Sequence, residues 1–335
     1  MNKQMPLVSV VMPMYNVEKY IREALGSVLQ QTYPNFEVIC VDDGGEDGSA
    51  AYVESLNDPR IRVIRQQNRG LAGARNTGIA DAKGDYIAFL DSDDVWLPEK
   101  LSSHVEHLQS QSRVGVSYSP SLFIDEQSRL LGIGQFPKLE HISSKDIFCR
   151  NPVGNGSAPV IRKQTFDAIR FFSEEEPSRP QFFDESLRQS EDIECWLRIT
   201  LNTKWHFEGI HDALTLYRVN ASGLSANLTK QYQSWRRAVE KNRPGHELFF
   251  NRWYALANAY QLRYLSRRAV QSRNPASACV MMMQAVLSSP KMLWEEPKKT
   301  ILSALCAVLA WLPTNLYDYI ERFAMSFAAK SRASL

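Results

Sequence analysis

The stretch Gly84-Asp85-Tyr86-Ile87-Ala88-Phe89-Leu90-Asp91-Ser92-Asp93-Asp94 decides how the rest of this chain is interpreted. It joins a short apolar run, residues 87–90, to three carboxylates, Asp91, Asp93 and Asp94. A continuous apolar run of this length is typical of a strand covered on both faces. Three like charges repel one another unless water or a cation neutralises them. The stretch therefore predicts a buried strand with a cation site at its carboxyl end.

The spacing of Asp91 and Asp93 suits a hard divalent cation. Mg²⁺ and Mn²⁺ prefer oxygen ligands, and Mg²⁺ commonly takes one or two protein carboxylates while water and substrate phosphates complete its shell. An Asp-x-Asp motif at a strand end thus predicts Mn²⁺ or Mg²⁺ as cofactor and a diphosphate as ligand. An alternative stays open here, because Asp and Ser also start turns and cap helices. In that case Asp93 or Asp94 would be a solvated loop residue before the helical start at Pro98-Glu99.

Strand and helix patterns alternate upstream of this stretch. The predicted strands are 7–13, 36–41 and 60–65, and the predicted helices are about 17–31 and 71–82. We expect Asn16 to cap the first helix and Pro13 to end the pairing of the first strand. This alternation predicts an α/β fold, a Rossmann-like and mostly parallel sheet flanked by helices, with right-handed crossovers.

Several polar residues follow the carboxyl ends of these strands, where ligands bind in such sheets. They are Pro13, Tyr15, Asp42, Asp43 and the loop 91–94. The first strand is followed by Pro-Met-Tyr-Asn and not by a glycine-rich dinucleotide motif. Three strand ends that converge on one polar set predict a binding site more strongly than any one of them alone.

Composition and charge bound the class of protein. The 335 residues are 44% apolar and 23% charged, as in ordinary globular proteins. The five scattered cysteines form no Cys-x-x-Cys pair, which indicates a reducing cytoplasm and neither a disulfide framework nor a zinc site. Met1–Pro6 has no cleavable-signal pattern, and no run reaches the length of a transmembrane helix.

The chain divides by charge into two parts. Residues 230–335 hold 16 Lys and Arg against six Asp and Glu, a balance of +10, which leaves −8 for residues 1–229. We expect one domain over 1–229, which contains the strand-end carboxylates. We expect a helical region over 230–335. Nucleic acid is excluded as a partner, because the first part is acidic and no recognition motif accompanies the basic residues.

The helical region contains an apolar segment, Thr300–Leu312, flanked by Lys298, Lys299 and later basic residues. It is too short to span a bilayer. Apolar residues with basic and Trp flanks are typical of an interfacial anchor on an anionic membrane surface. A buried core helix explains the same run equally well. Both alternatives stay open. A third is that the helical region packs on the domain over 1–229.

Five motifs together resemble glycosyltransferase family 2. They are residues 8–16, the Gln31–Pro34 turn, Val41–Gly44, Asn68–Gly78 and Phe89–Asp94, in the same order and spacing. A weaker continuation in Gly156-Ser157, Ser190–Arg198 and Tyr217-Arg218 extends the resemblance over roughly residues 6–226. The resemblance implies the A-type nucleotide-sugar transferase fold. It also implies that 1–229 is a catalytic domain, with a nucleotide-binding part at about 6–110 and an acceptor part at about 111–229.

The resemblance also implies roles for individual residues. It places Pro13, Tyr15 and Asp43 in the nucleoside pocket, Arg69 or Gly70 beside the base, Asp91 at the ribose, Asp93 on the metal and Asp192 as catalytic base. Arg218 is a candidate phosphate clamp, with a structural ion pair as the alternative. One departure is Asn220, which stands where many members carry His.

The implied activity is inverting transfer of a sugar from a nucleotide diphosphate sugar, with UDP as the expected nucleotide. The acceptor would be a hydroxyl of a surface polysaccharide or lipid-linked glycan. We expect the enzyme in the cytoplasm or on the inner face of the cytoplasmic membrane. The alternative is a catalytically degenerate transferase fold whose basic helical region binds a partner; the carboxylates Asp43, Asp91, Asp93 and Asp192 argue against it.

Overall fold

The computed structural model describes residues 5–219, 228–313 and 315–317. The chain forms two compact units. The first comprises Met1–Ile147, Asn151–Ala221 and Arg237–Asn242, and the second comprises Phe148–Arg150, Ser222–Arg236 and Arg243–Leu335.

The strands all lie in the first unit. In chain order they are β1 Val8–Met14, β2 Phe36–Asp42, β3 Ile61–Arg65, β4 Tyr86–Phe89, β5 Val95–Trp96, β6 Val114–Tyr118, β7 Ser121–Ile124, β8 Leu130–Gln135, β9 Val160–Arg162, β10 Phe171–Phe172, β11 Pro180–Gln181, β12 His206–Gly209 and β13 Thr215–Arg218.

Helices occur in both units. In chain order they are α1 Glu18–Leu29, α2 Ser49–Ser55, α3 Gly70–Asp81, α4 Lys100–Ser110, α5 Ser144–Arg150, α6 Lys163–Ile169, α7 Glu191–Asn202, α8 Leu228–Lys241, α9 Glu247–Gln271, α10 Pro275–Ser288, α11 Lys291–Glu295 and α12 Pro297–Leu309.

A seven-stranded sheet organises the first unit, in the order β12-β6-β9-β4-β1-β2-β3. Only β9 among these strands runs antiparallel to its neighbours. Every residue of β1 and β4 is buried, because helices cover both faces of the sheet. Each fully buried Val or Ile side chain contributes roughly 1.5–3 kcal/mol to folding. The predicted mostly parallel sheet with flanking helices is confirmed.

A second, four-stranded sheet with the order β5-β13-β7-β8 lies in the same unit. Its strand β5 begins at Val95, directly after the acidic loop, and pairs antiparallel with β13. This pairing brings Arg218, at the end of β13, to the loop 91–94. The small sheet therefore fixes the position of the loop that follows β4.

Two local predictions at the first strand were wrong. Met14 still pairs with Asp42 of β2 after Pro13. The ladder between β1 and β4 has already ended at Val11, so the missing N–H of Pro13 interrupts no pairing with β4. Asn16 does not cap α1; its side chain accepts a hydrogen bond from the N–H of Glu46. The carboxylate of Asp47 accepts from the N–H of Glu18 at 2.8 Å, so the cap comes from a distant loop.

The second unit is helical. Helices α9 and α10 pack against each other and against α12. Ala269 and Ala278 form a small core with Ala307 and Ala310, and the hydroxyl of Ser266 donates to the carbonyl of Ala278 at 2.7 Å. These small residues let the helices approach closely. Of the helices that the structure describes, none has both the length and the apolar character needed to cross a bilayer.

Candidate active site

Three strand ends meet at one edge of the large sheet. The N–H of Asp43 donates to the carbonyl of Met14 at 2.9 Å, and the hydroxyl of Ser92 donates to the carbonyl of Pro13 at 2.7 Å. Tyr15 follows β1 at this edge and is 53% exposed. The structure therefore brings together the loops after β1, β2 and β4, as the parallel strand order requires.

Asp43 organises the segment that leads into α3. Its carboxylate is buried and accepts hydrogen bonds from the backbone N–H groups of Arg69 and Gly70, both at 2.8 Å, and from the side chain of Gln66 at 2.7 Å. An anion at a helix start is stabilised by the unpaired N–H groups there. Gly70 adopts φ +78°, which favours glycine. Asp43 thus holds Arg69 and Gly70 at the strand ends.

Asp94 is the buried member of the acidic loop, with 1% of its surface exposed. The hydroxyl of Ser157 donates to its carboxylate at 2.6 Å, and the N–H of Arg218 donates at 2.8 Å. Burial, together with the charges of Asp93 and Asp91, raises the pKa of Asp94 well above its ordinary value. Asp94 is therefore not the solvated loop residue that the alternative interpretation allowed.

Ser157 connects this loop to the segment before β9. Besides bonding Asp94, its hydroxyl accepts from the N–H of Asp91 at 3.0 Å, and its carbonyl accepts from the indole of Trp96 at 2.9 Å. The neighbouring Gly156 has no room for a side chain, because an added Cβ would collide with the guanidinium of Arg75. Gly156-Ser157 therefore supports the position of Asp91.

The side chain of Arg218 is fully buried and holds the acidic loop from beneath. Its guanidinium donates to the carbonyls of Asp93 and Asp125 at 2.7 and 2.8 Å, to the hydroxyl of Ser128 at 3.0 Å and to the carboxylate of Glu23 at 2.7 Å. These contacts match the structural alternative for this residue. A clamp on phosphate would require several of these hydrogen bonds to be given up.

Arg75 joins the acidic loop to the start of α7. Its guanidinium is buried and donates to Asp91 at 2.9 Å and to Glu191 at 3.0 Å. The rings of Phe89 and Phe183 lie 5.7 and 5.6 Å from the guanidinium carbon. The sequence motif Asn68–Gly78 contains Arg75 but did not predict a role for it. The available signal was a charged residue among Ala and Gly on a helix with no marked polar face.

Asp192 lies on the first turn of α7, directly after Glu191. The amide of Asn151 donates to its carboxylate at 3.2 Å. Burial raises the pKa of Asp192 above its ordinary value. Burial raises the pKa of Glu191 as well, and the charge of Asp192 adds to that effect while Arg75 opposes it. A carboxylate with a raised pKa is a more effective general base near neutral pH.

The donor set at the acidic loop can be tested against a divalent metal. Asp94 has both oxygens engaged by Ser157 and Arg218, and Asp91 bonds Arg75, whereas Asp93 is partly exposed. Across residues 5–219, 228–313 and 315–317, no group of three or more His, Cys, Asp and Glu side chains is arranged to hold a metal ion. The residues fit an ion that takes one or two protein carboxylates and completes its shell with water and a diphosphate.

Two aromatic side chains, in α7 and β12, belong to the core. Trp196 and Phe207 are each 3% exposed. The ring of Trp196 packs edge-on against Phe183 and Phe207, with centroids 6.1 and 6.0 Å away.

Arg69, the expected neighbour of the base, forms ion pairs with Glu176 and Glu185. Asn220 lies outside the described residues.

Lys100 is fully buried beneath the acidic loop. Its ammonium donates to the carbonyl of Ala158 at 2.8 Å and lies 3.4 Å from the ring of His104. Burial lowers the pKa of Lys100 from 10.5 to about 7, although the charge of Asp94 opposes the shift. The unfolded chain therefore binds one more proton than the folded chain between pH 7 and 10.5.

A pH dependence of stability follows from Lys100. Since the unfolded state holds the extra proton, the free energy of unfolding should rise with pH from about 7, by up to about 1.4 kcal/mol per unit. Lys100→Met should flatten this rise, measured by urea unfolding across that range. Lys204→Met, at an exposed lysine, is the control. An equal slope in wild type and Lys100→Met would contradict the prediction.

Comparison with known proteins identifies the family of this chain. The family model described as glycosyl transferase family 2 matches residues 9–165. A protein named as a teichuronic acid biosynthesis glycosyltransferase, TuaG of Bacillus subtilis, is 31% identical over 228 residues, which cover 67% of this chain and 84% of the relative. The chain belongs to glycosyltransferase family 2. The transferase is thus an enzyme of sugar transfer, and the family resemblance of its motifs is confirmed.

A second relative and a solved structure are also similar to this chain. The beta-1,3-glucosyltransferase WfgD of Escherichia coli, named for UDP-Glc and alpha-D-GlcNAc-diphosphoundecaprenol, is 30% identical over 67% of the transferase and 82% of its own length. The crystal structure of S. aureus TarS 1-349 in complex with UDP-GlcNAc matches with a TM-score of 0.55 and 18% identity, covering 90% of the transferase and 81% of that chain. The structural likeness confirms the A-type fold.

Proposed function

We propose that the transferase moves a sugar from a UDP-sugar to a hydroxyl of a lipid-linked glycan, with inversion at the anomeric carbon. The observation that supports this proposal is that one buried guanidinium hydrogen-bonds carboxylates of two separate segments. Arg75 bonds Asp91 of the acidic loop and Glu191 beside Asp192. The donor loop and the candidate base are thereby held together within the first unit. WfgD is named for UDP-Glc and TarS forms a complex with UDP-GlcNAc, which supports the choice of nucleotide.

Asp192 acts as the general base in this mechanism. Its carboxylate takes the proton of the acceptor hydroxyl while that oxygen forms a bond to the anomeric carbon. The bond from the anomeric carbon to the diphosphate oxygen breaks on the opposite face, and the electron pair leaves with UDP. The side chain of Asn151 orients Asp192 through the hydrogen bond between them.

The donor is bound at the strand ends. The nucleoside is surrounded by Pro13, Tyr15, Asp43 and the Arg69-Gly70 segment. Asp91 approaches the ribose. Asp93, partly exposed at the strand end, would hold Mn²⁺ or Mg²⁺. Such an ion would supply Lewis-acid stabilisation of the negative charge on the diphosphate. The buried Asp94 keeps the loop in place through Ser157 and Arg218.

Nucleotide binding tests this proposal. We expect calorimetry with UDP, GDP, CDP and dTDP to detect UDP binding in the presence of Mn²⁺, and Asp93→Asn to abolish the metal-dependent part, because one metal ligand is lost. Asp58→Asn, at a carboxylate remote from the strand-end loops, is the matched control. Binding of UDP that is indifferent to Mn²⁺ and to Asp93→Asn would contradict the metal assignment. No binding of any of the four nucleotides would favour the interaction-protein alternative.

The proposed location is the cytoplasm and the inner face of the cytoplasmic membrane. A lipid-linked acceptor is confined to a bilayer, so an enzyme that uses it gains from residing at the membrane surface. The basic balance of residues 230–335 supports attraction to anionic lipid.

A further inference from the structure

Helix α12 has a buried face of small side chains and an apolar outer face. On one, Thr300, Ser303 and Ala307 are buried in the second unit. On the other, Leu302, Leu305 and Val308 are 62%, 54% and 63% exposed. A surface helix ordinarily presents charged or polar residues to water on its outer face. The outer face of α12 thus lacks the polar residues that water would favour. The interpretation of residues 300–312 as a buried core helix therefore explains only one face of α12.

An apolar groove runs beside this outer face. It has a volume of about 270 Å³ and is lined by Met282, Val286, Leu293, Thr300, Ile301, Ala304, Leu305 and Val308, from α10, α11 and α12. Apart from the Thr300 hydroxyl, which donates to the carbonyl of Met292, the lining side chains carry no hydrogen-bonding group. A groove of this composition suits hydrocarbon and offers a polar ligand nothing to bind.

Aromatic and basic side chains border the outer face. Trp294, in α11, and Trp311, after α12, are 83% and 64% exposed. Lys298 and Lys299 stand in the first turn of α12, and the side chain of Lys299 is 70% exposed although it pairs with Glu296. Trp and Lys anchor interfacial helices, because each has an apolar body and a polar end.

These charges favour a membrane over a protein partner. Lys is depleted at protein–protein interfaces, where the buried centre excludes charge. Near anionic lipid each Lys instead contributes about a factor of five to binding. We propose that the outer face of α11 and α12 docks on an anionic phospholipid leaflet, with Trp294 and Trp311 at the interface and acyl chains in the groove. This inference rests on one part of the proposed function, namely that the acceptor is lipid-linked.

Vesicle binding by the full chain tests the docking. We expect the transferase to sediment with phosphatidylglycerol–phosphatidylcholine vesicles at low salt and to bind pure phosphatidylcholine vesicles much more weakly. The double variant Lys298→Gln/Lys299→Gln should bind the anionic vesicles roughly 30-fold more weakly, from about fivefold per lysine. The matched control Lys83→Gln/Lys204→Gln removes two exposed lysines of the first unit and should bind as wild type does.

A second variant tests the apolar contact. Leu302→Glu places a charge on the exposed face, so it should keep the folded structure and lose vesicle binding at every salt concentration. Calorimetric UDP binding should be unchanged in all these variants, which separates failure of the docking from failure of the proposed function. Wild type that stays in the supernatant at low salt, Leu302→Glu that binds normally, or a dimer that Leu302→Glu dissociates would each overturn the proposal.

Discussion

Asp192→Asn is expected to lower the rate of sugar transfer by about 10²–10⁴-fold, the usual contribution of a positioned general base. The amide keeps the shape of the side chain but cannot take the proton of the acceptor hydroxyl. Binding of UDP with Mn²⁺ should change little, because Asp192 lies on α7 and not in the acidic loop. Steady-state transfer and calorimetry on the same preparation measure the two effects.

Two controls make this result specific to the base. Asp167→Asn, on the exposed side of α6, makes the same chemical change away from the site and should leave transfer intact. Glu191→Gln should reduce transfer less than Asp192→Asn, since Glu191 acts through Arg75. Full activity in Asp192→Asn, or a larger loss in Glu191→Gln, would move the base assignment away from Asp192.

The raised pKa of Asp192 adds a pH dependence to this prediction. A base must be ionised to accept a proton, so transfer should fall as the pH drops through the raised pKa of this carboxyl. The acidic limb of the profile should therefore lie above the ordinary range of an aspartate. Asp192→Asn should lose that limb together with the activity.

Arg75→Met is expected to have the largest effect on stability, about 3–5 kcal/mol in the free energy of unfolding. Removing one partner from a buried ion pair leaves the other charge without compensation. Here two carboxylates, Asp91 and Glu191, would lose the same cation inside the protein. Urea unfolding measures the change, and UDP binding should weaken as well because Asp91 loses its fixed position.

Comparison variants show whether the bridge itself matters. Arg65→Met removes an exposed arginine that pairs with Glu54, and surface pairs contribute only about 0–1 kcal/mol. Arg75→Lys keeps the charge but cannot span two carboxylates with a planar fork, so it should recover only part of the loss. Equal stability of Arg75→Met and Arg65→Met would contradict the role of Arg75.

Three buried charged residues of the transferase hold loops. Asp43, Asp94 and Arg218 bond backbone groups of the loops that meet at the strand ends. The proposed chemistry is assigned to two other carboxylates, Asp93 and Asp192.

The sequence by itself determined four strands of the large sheet, β1 to β4, and the order of the motifs. Apolar runs ending in Asp43 and Asp91, separated by helical periodicity, predict parallel strands whose carboxyl ends meet, because burial on both faces requires such runs. These signals are local, so they can be read from neighbouring residues. The family resemblance added the candidate base Asp192, from its weaker continuation at Ser190–Arg198.

Only the tertiary structure decided which charged groups share a site and which serve the fold. Arg75 meets Glu191 across 116 positions of sequence, and Arg218 meets Glu23 across 195. The capping of α1 by Asp47 and the burial of Asp94 likewise depend on distant segments. The physical reason is that a charge acts over a few ångströms in space, and local sequence patterns do not determine which distant residues come that close.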